Sequence, residues 1–289
     1  MSTYLQKAAS GNNQDNQNQL RVPRILAVAN QKGGVGKTTS VVGLGGLLAE
    51  RGHRVLMIDL DPHGSLTSYF QHNPDEMSKS VYQLFQHKGE VPSHLPPELI
   101  LKTGFQQLDF LPASTSLAML ERQAVSQGGA GLVISKTLAW LWDDYDYVLM
   151  DTPPILGVLL INALAACQQL LLPVQTEFLA IKGLERMMRT LQMVMKSQKR
   201  ELPYLVVPTM FDRRTQASVG SLRLLRQTYD GHIWPSAIPE DTRFRDASRA
   251  GQPPSVYDAN SRGVAAYSSL LKYLLSHEPR LSAQQQLTS

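Results

Sequence analysis

Short apolar runs recur along the chain, each closed by polar or turn-forming residues: 25–30, 55–59, 108–111, 147–151, 170–173, 205–209 and 233–238. Such runs, rich in Val, Ile and Leu, predict strands covered on both faces. Between them, segments near 37–51, 131–142, 181–197, 218–228 and 262–275 repeat apolar residues at helical spacing. Strands alternating with helices predict an α/β fold, with a mostly parallel central sheet flanked by helices on both faces. Ligands of such sheets sit at the carboxyl ends of the strands. Residues 1–22 hold a Ser/Gly/Asn/Gln-rich stretch without apolar period, and 277–289 are polar; both read as tails. No repeat or linker divides residues 23–276, so a single domain is expected between the tails.

Composition narrows the chemistry. With 43% apolar and 18% charged residues among 289, the chain can bury a sizeable core. Its one cysteine, Cys167, lies in an apolar run, which predicts a buried small side chain. One cysteine cannot build a disulfide, and a cluster-bearing electron carrier that needs two ligands per subunit is excluded. A lone cysteine fits a reducing cytoplasm. The first twenty residues carry no signal-peptide core, and the apolar stretch 155–166 is short and broken by Gly157 and Asn162. The formal charge of +4 is uneven: over 182–280, sixteen Lys and Arg stand against nine Asp and Glu. A basic C-terminal third points to a polyanionic partner.

The most specific motif is Lys32-Gly33-Gly34-Val35-Gly36-Lys37-Thr38-Thr39, set between a predicted strand and a predicted helix. Strand, glycine-rich loop and helix form the context of a phosphate-binding loop, in a P-loop NTPase fold. Backbone N–H groups cradle phosphate, Lys37 reaches the β/γ-phosphates and the Thr38 hydroxyl ligates Mg²⁺. An ordinary P-loop opens with glycine six places before its lysine; here Gln31 holds that place and Lys32 follows. Asn30–Thr39 resembles the deviant Walker A motif of the ParA/MinD family of ATPases. The resemblance implies ATP and Mg²⁺ as cofactors and a homodimer formed on ATP binding. It also implies that Lys32 crosses the interface to the partner's nucleotide, which Gly33 and Gly34 would let the two backbones approach.

Two acid-tipped strands complete the pattern. The run 55–58 leads into Asp59-Leu60-Asp61-Pro62-His63-Gly64, and carboxylates two positions apart on a strand point the same way. By resemblance Asp61 activates the attacking water, while Asp59 supports the metal and the Thr38 region. His63 stands where the family has glutamine and reads as a solvent-exposed loop residue. Tyr147–Asp151, followed by Thr152-Pro153-Pro154, resembles the family's Walker B element, with Asp151 acting on Mg²⁺. Segments 208–215 and 238–243 match those that wall the family's base pocket, so Met210 and Pro239 are expected on adenine. Arg214 and Arg243 align with positions that grip DNA without sequence preference in segregating relatives. Arg223 and Arg226, three apart on a predicted helix, share a face. Without aromatic interleaving or a recognition-helix pattern, phosphate contact is the expected mode.

The similarity runs from about Arg24 to Leu275 and includes Gln175-Thr176-Glu177 and Lys182-Gly183. Ile181, Leu184, Met188, Leu191 and Met195 form an apolar stripe that reads as core, whereas Met187 and Met193 could face a partner. Segments 61–65, 208–218 and 246–251 look most like ParC, the chemotaxis-linked branch of ParA. They lead to the expectation of an ATP-driven switch that places chemosensory arrays at a cell pole, with a ParP-like coupling protein and array components as partners. The alternative is a chromosome or plasmid partitioning ATPase working on the nucleoid with a ParB-like partner. A membrane-bound MinD-like role is less favoured. The stripe Val264, Tyr267, Leu270, Leu271, Leu274 and Leu275 has only Lys272 as a cation and reads as a helix docked on the core.

Overall fold

Apolar side chains on both sides of each central strand require cover above and below, and the fold supplies it. The computed structural model describes residues 22–87, 89–123 and 130–277, so the two expected tails lie, but for Val22 and His277, outside the described residues. Seven strands form one sheet: β1 (Arg24–Val28), β2 (Val55–Asp59), β3 (Leu101–Lys102), β4 (Leu108–Leu111), β5 (Tyr147–Asp151), β6 (Gln169–Gln175) and β7 (Tyr204–Thr209). Their spatial order is β3-β4-β2-β5-β1-β6-β7, with every pairing parallel except β3 on β4.

Alternation along the strands sorts the core into two layers. Ile25 and Ala27 of β1, Leu56 and Ile58 of β2, and Val148 and Met150 of β5 pack on one face. There they meet α6 (Val133–Trp140), α7 (Val158–Ala166) and α8 (Phe178–Gln198). Leu26, Val28, Val55, Met57 and Leu149 face the other way, onto α1 (Lys37–Glu50) and the last helix (Arg262–Ser276). α1 lies close to its neighbours because it is small on that side: a Cβ at Gly46 would come within 2.7 Å of the Pro253 Cβ.

Further helices fill the connections: α2 (Ser65–Tyr69), α3 (Val81–Phe85), α4 (Leu95–Leu99), α5 (Leu117–Gln123), α9 (Gln216–Thr228), α10 (Arg243–Ala250) and α11 (Pro254–Tyr257), with Arg262–Ser276 as α12. On α12 the expected stripe is buried in the core from Val264 to Leu274. Among the described residues, no helix is long and apolar enough to cross a membrane.

Two readings of the sequence need correction. Residues 233–238 do not form a strand. Ile233 makes a lone bridge to Val206, and Trp234 N and Ile238 N donate to Val206 O and Pro208 O. Pro235 between them has no N–H to continue a ladder. Met187, offered to a partner, is fully buried on α8, while Met193 is exposed. The helix turns Met187 toward the sheet with Leu184 and Leu191.

Candidate functional site

β1 ends at Val28, and the chain then crosses the carboxyl edge of the sheet as a loop before α1 begins at Lys37. Gly34 and Gly36 take left-handed backbone, at φ 74° and 93°, conformations that side chains with a Cβ resist. The loop is braced on three sides. Asn30 Nδ2 donates to Pro173 O at 2.7 Å while its Oδ1 accepts from Lys32 N at 3.0 Å. Thr209 Oγ1 donates to Val35 O at 2.9 Å. Ser40 Oγ donates to Gly36 O at 2.7 Å and lies 2.9 Å from the Tyr267 hydroxyl, linking the loop to α12. Around Gly33 and Gly34 no atom would meet an added Cβ within 4 Å, so this lip of the loop is open.

The two lysines of the motif sit in different surroundings. Lys37 is buried, its ammonium 3.5 Å from the Lys32 carbonyl, and burial lowers its pKa while Asp151 and Asp61 pull it back up. Lys32 is partly exposed on the rim, where its ammonium contacts Gln175 and Glu177.

Asp59 and Asp151 are partners in register at the ends of adjacent strands β2 and β5. Asp151 Oδ2 accepts the Thr38 hydroxyl at 2.5 Å, and its Oδ1 is buried without a hydrogen-bond partner. Burial pushes the Asp151 carboxyl up to about 7, against the Thr38 hydrogen bond and Lys37, which draw it down. Burial and then the charge of Asp151 push Asp59 up to about 8. A buried, unpartnered carboxylate oxygen beside a threonine hydroxyl is suited to a hydrated divalent cation, whose charge would relieve both acids. Among the described residues no three His, Cys, Asp or Glu are grouped to hold a metal.

Asp59 is also held by the chain next to it. Its Oδ2 accepts from Thr67 N at 2.8 Å and Thr67 Oγ1 at 2.7 Å, and its Oδ1 accepts from Asp61 N at 3.1 Å. These bonds tie Asp59 to the segment that carries Asp61, while its place in register with Asp151 keeps it beside the Thr38 region. Asp61, buried beyond the end of β2, accepts from His63 N at 3.0 Å, and the His63 side chain is exposed.

Met210 and Pro239 lie on neighbouring segments joined by a bridge between Phe211 and Pro239. Met210 adopts a left-handed φ of 51°, uncommon outside glycine, and is 40% exposed. It adjoins the loop through Gln175, whose Nε2 lies 2.7 Å from Met210 Sδ and 3.4 Å from Gly34 O.

The predicted DNA-contacting arginines are not gathered in the same way. Arg214 is exposed and clasped by Asp212 through its Nε at 2.9 Å and a terminal nitrogen at 2.9 Å. Arg243 pairs with Asp258 at 3.3 Å and, more loosely, Asp246 at 3.9 Å. Arg223 and Arg226 line one groove on α9 with Phe211, Val219 and Leu222. Arg226 also donates to Pro235 O at 2.5 Å.

Several residues of this site carried no role in the sequence reading. Thr67, Asn30 and Tyr267 act by bracing, which no local spacing reveals. Gln175 and Glu177 belonged to a segment of family likeness, but their contact with Lys32 needed the fold.

Comparison with known proteins agrees with this geometry. Residues 23–204 match the family described as an AAA domain. The sporulation initiation inhibitor protein Soj of Bacillus subtilis is 34% identical over 86% of this chain and 97% of its own. The chromosome partitioning protein ParA of Caulobacter vibrioides is 34% identical over 88% and 95%. Among solved structures, a Mycobacterium smegmatis protein described as cobyrinic acid a,c-diamide synthase, with bound ADP and magnesium, superposes with a TM-score of 0.75 at 34% identity. That match covers 88% of this chain and 95% of that one. The ATP complex of a Cyanothece McdA variant, at 23% identity and a TM-score of 0.76, shares the fold over 90% of this chain and 99% of that one. A glycine-rich loop bracketed by two lysines, acids at the tips of neighbouring parallel strands and likeness to Soj and ParA over nearly the whole of those proteins lead to one conclusion: the chain belongs to the ParA/MinD family of ATPases.

Proposed function

We propose that this protein is an ATP- and Mg²⁺-dependent switch that closes into a homodimer around nucleotide and partitions chromosomal or plasmid DNA. The observation that carries the reading is the unequal pair of lysines on one loop. Lys37 is fixed within its own site, while Lys32 stands on the open rim where a second subunit could approach. An ATP between two subunits gathers negative charge that a cation from each side offsets.

In this scheme the loop amides and Lys37 hold the phosphates. Thr38 and Asp151, with Asp59 beside them, would hold Mg²⁺, which would supply positive charge against the charge that develops on the phosphates. Asp61, kept in place by Asp59, accepts the proton of the attacking water or orients it. Met210 and Pro239 offer flat apolar contact to the base. Turnover is slow alone, because the site needs its dimeric partner, and rises with a stimulating protein. Loss of the γ-phosphate contacts then releases the dimer.

The relatives support a DNA cargo. The Caulobacter vibrioides relative, described as a chromosome partitioning protein and matched over nearly its full length, supports DNA partition, and the family resemblance adds a ParB-like partner. The basic C-terminal third supports salt-sensitive contact with DNA phosphates and residence on the nucleoid. A second reading, placement of chemosensory arrays at a cell pole with a ParP-like protein, rests on the likeness of 61–65, 208–218 and 246–251 to ParC.

The test is to follow a fluorescent fusion beside Lys32→Ala and Asp61→Ala in living cells. DNA partition predicts movement with replicated origins, lost in both variants. Polar foci that need chemotaxis proteins and ignore the origins would replace this reading with the array role.

A further inference from the structure

Lys32 does not project from the loop into solvent. Its ammonium donates to Gln175 Oε1 at 3.1 Å and pairs with the Glu177 carboxylate, both on its own chain. Gln175 ends β6, and Glu177 immediately precedes α8. The alkyl stem lies along α8 at Gly183, where an added Cβ would stand 3.3 Å from the Lys32 Cβ. Behind it, Lys32 N is tied to Asn30, and the Gln175 amide nitrogen turns away to Gly34 O and Met210 Sδ, leaving its oxygen to the lysine. The resting place therefore supplies a carboxylate, a neutral acceptor and a floor without a side chain. The next carboxylate along α8, Glu185, is occupied by Lys182 at 2.9 Å.

A lysine held this way cannot simultaneously reach a second subunit. We propose that Glu177 is a positioning residue: an internal latch that parks Lys32 on its own protomer until the dimer closes. The inference rests on the crossing role given to Lys32 above. It adds that closure must exchange two Lys32–Glu177 pairs for two Lys32–phosphate contacts.

The size of the effect follows from exposure. The side chains of the pair are 28% and 52% exposed, so the contact belongs to the weak, screened class. Such a pair shifts an equilibrium by up to about fivefold. Because two latches open per dimer, the dimer dissociation constant shifts by the square, up to about 25-fold.

The experiment has two arms. In the first, nucleotide-free protein is treated with an amine-methylating reagent, and the modification of each lysine is followed by mass spectrometry. Glu177→Gln should speed labelling of Lys32 severalfold and leave buried Lys37 unchanged, while Glu177→Asp should fall between. In the second, dimer formation with Mg²⁺–ATP is measured by sedimentation in an Asp61→Ala background. There Glu177→Gln should dimerise at lower protein concentration than its parent. Equal labelling of Lys32 in parent and Glu177→Gln would overturn the latch. So would a variant that dimerises equally or more weakly, the weaker case meaning that Glu177 serves the closed state. Should the parent itself stay monomeric, the switch reading fails, while the labelling arm still decides whether Glu177 holds Lys32.

Discussion

The carboxyl end of the sheet and the arginine-bearing surface around α9 and α10 both carry cationic side chains, held on opposite principles. At the sheet, Lys37, Asp59, Asp61 and Asp151 are all buried, and the loop beside them is braced by named side-chain bonds. On the surface, Arg214 and Arg243 are more than half exposed and rest against neighbouring acids. A triphosphate and its cation need atoms in fixed places. A polymer's phosphates need only positive charge within reach. Substitutions at the first region should therefore act as steps, and at the second as increments.

The largest step should come at Lys37. Lys37→Ala is expected to abolish nucleotide binding, measured by titration with a fluorescent ATP analogue, and to lower hydrolysis by at least about 100-fold. Retained micromolar affinity would show that the buried lysine is structural. Asp61→Ala separates binding from chemistry: nucleotide should still bind, while phosphate release falls by roughly 100-fold. Loss of both would move Asp61 from water activation to nucleotide binding.

Increments come next. Arg223→Glu with Arg226→Glu should weaken binding to unrelated duplexes alike and lower the salt slope of the affinity by about 2. Arg214→Ala should do less, because Asp212 already answers its charge. Sequence-dependent losses would contradict phosphate contact.

The acids at the sheet also make a pH prediction. Asp59 and Asp151 are held above the ordinary carboxylate value, at about 8 and about 7. Between about pH 4 and these values the folded chain holds more protons than the unfolded one. Stability of the nucleotide-free protein should therefore fall as pH rises through that window, with thermal unfolding lower at pH 8.5 than at pH 6. Saturation with Mg²⁺–nucleotide should flatten the trend, since the cation offsets the paired charges. An unfolding temperature that rises over the window would contradict the paired-acid account. The smallest effect belongs to His63→Gln: an exposed ring should leave the pH–rate profile unchanged.

What could be read from the chain divides along the same boundary. β1, β2, β4 and β5 announce themselves as apolar runs closed by polar residues, because strands buried on both faces leave no other pattern. The loop and the acids at the strand tips are legible because their chemistry is tied to fixed spacing. β3 is two residues long and pairs antiparallel at the edge, too short for any period. Residues 233–238 imitate a strand in composition, yet Pro235 prevents the ladder. Met187 differs from Met193 only by which side of α8 it occupies, and that is set by packing on the sheet. The partners of Arg214 could be guessed from adjacency, but Arg243 finds Asp258 only through the fold.

The central claim is that nucleotide joins two copies of the chain. Sedimentation velocity of the Asp61→Ala variant, with and without saturating Mg²⁺–ATP, tests it most directly. The account predicts a monomer without nucleotide and a dimer with it, and no dimer when Lys32→Ala is added. A species that remains monomeric at saturating Mg²⁺–ATP would contradict it.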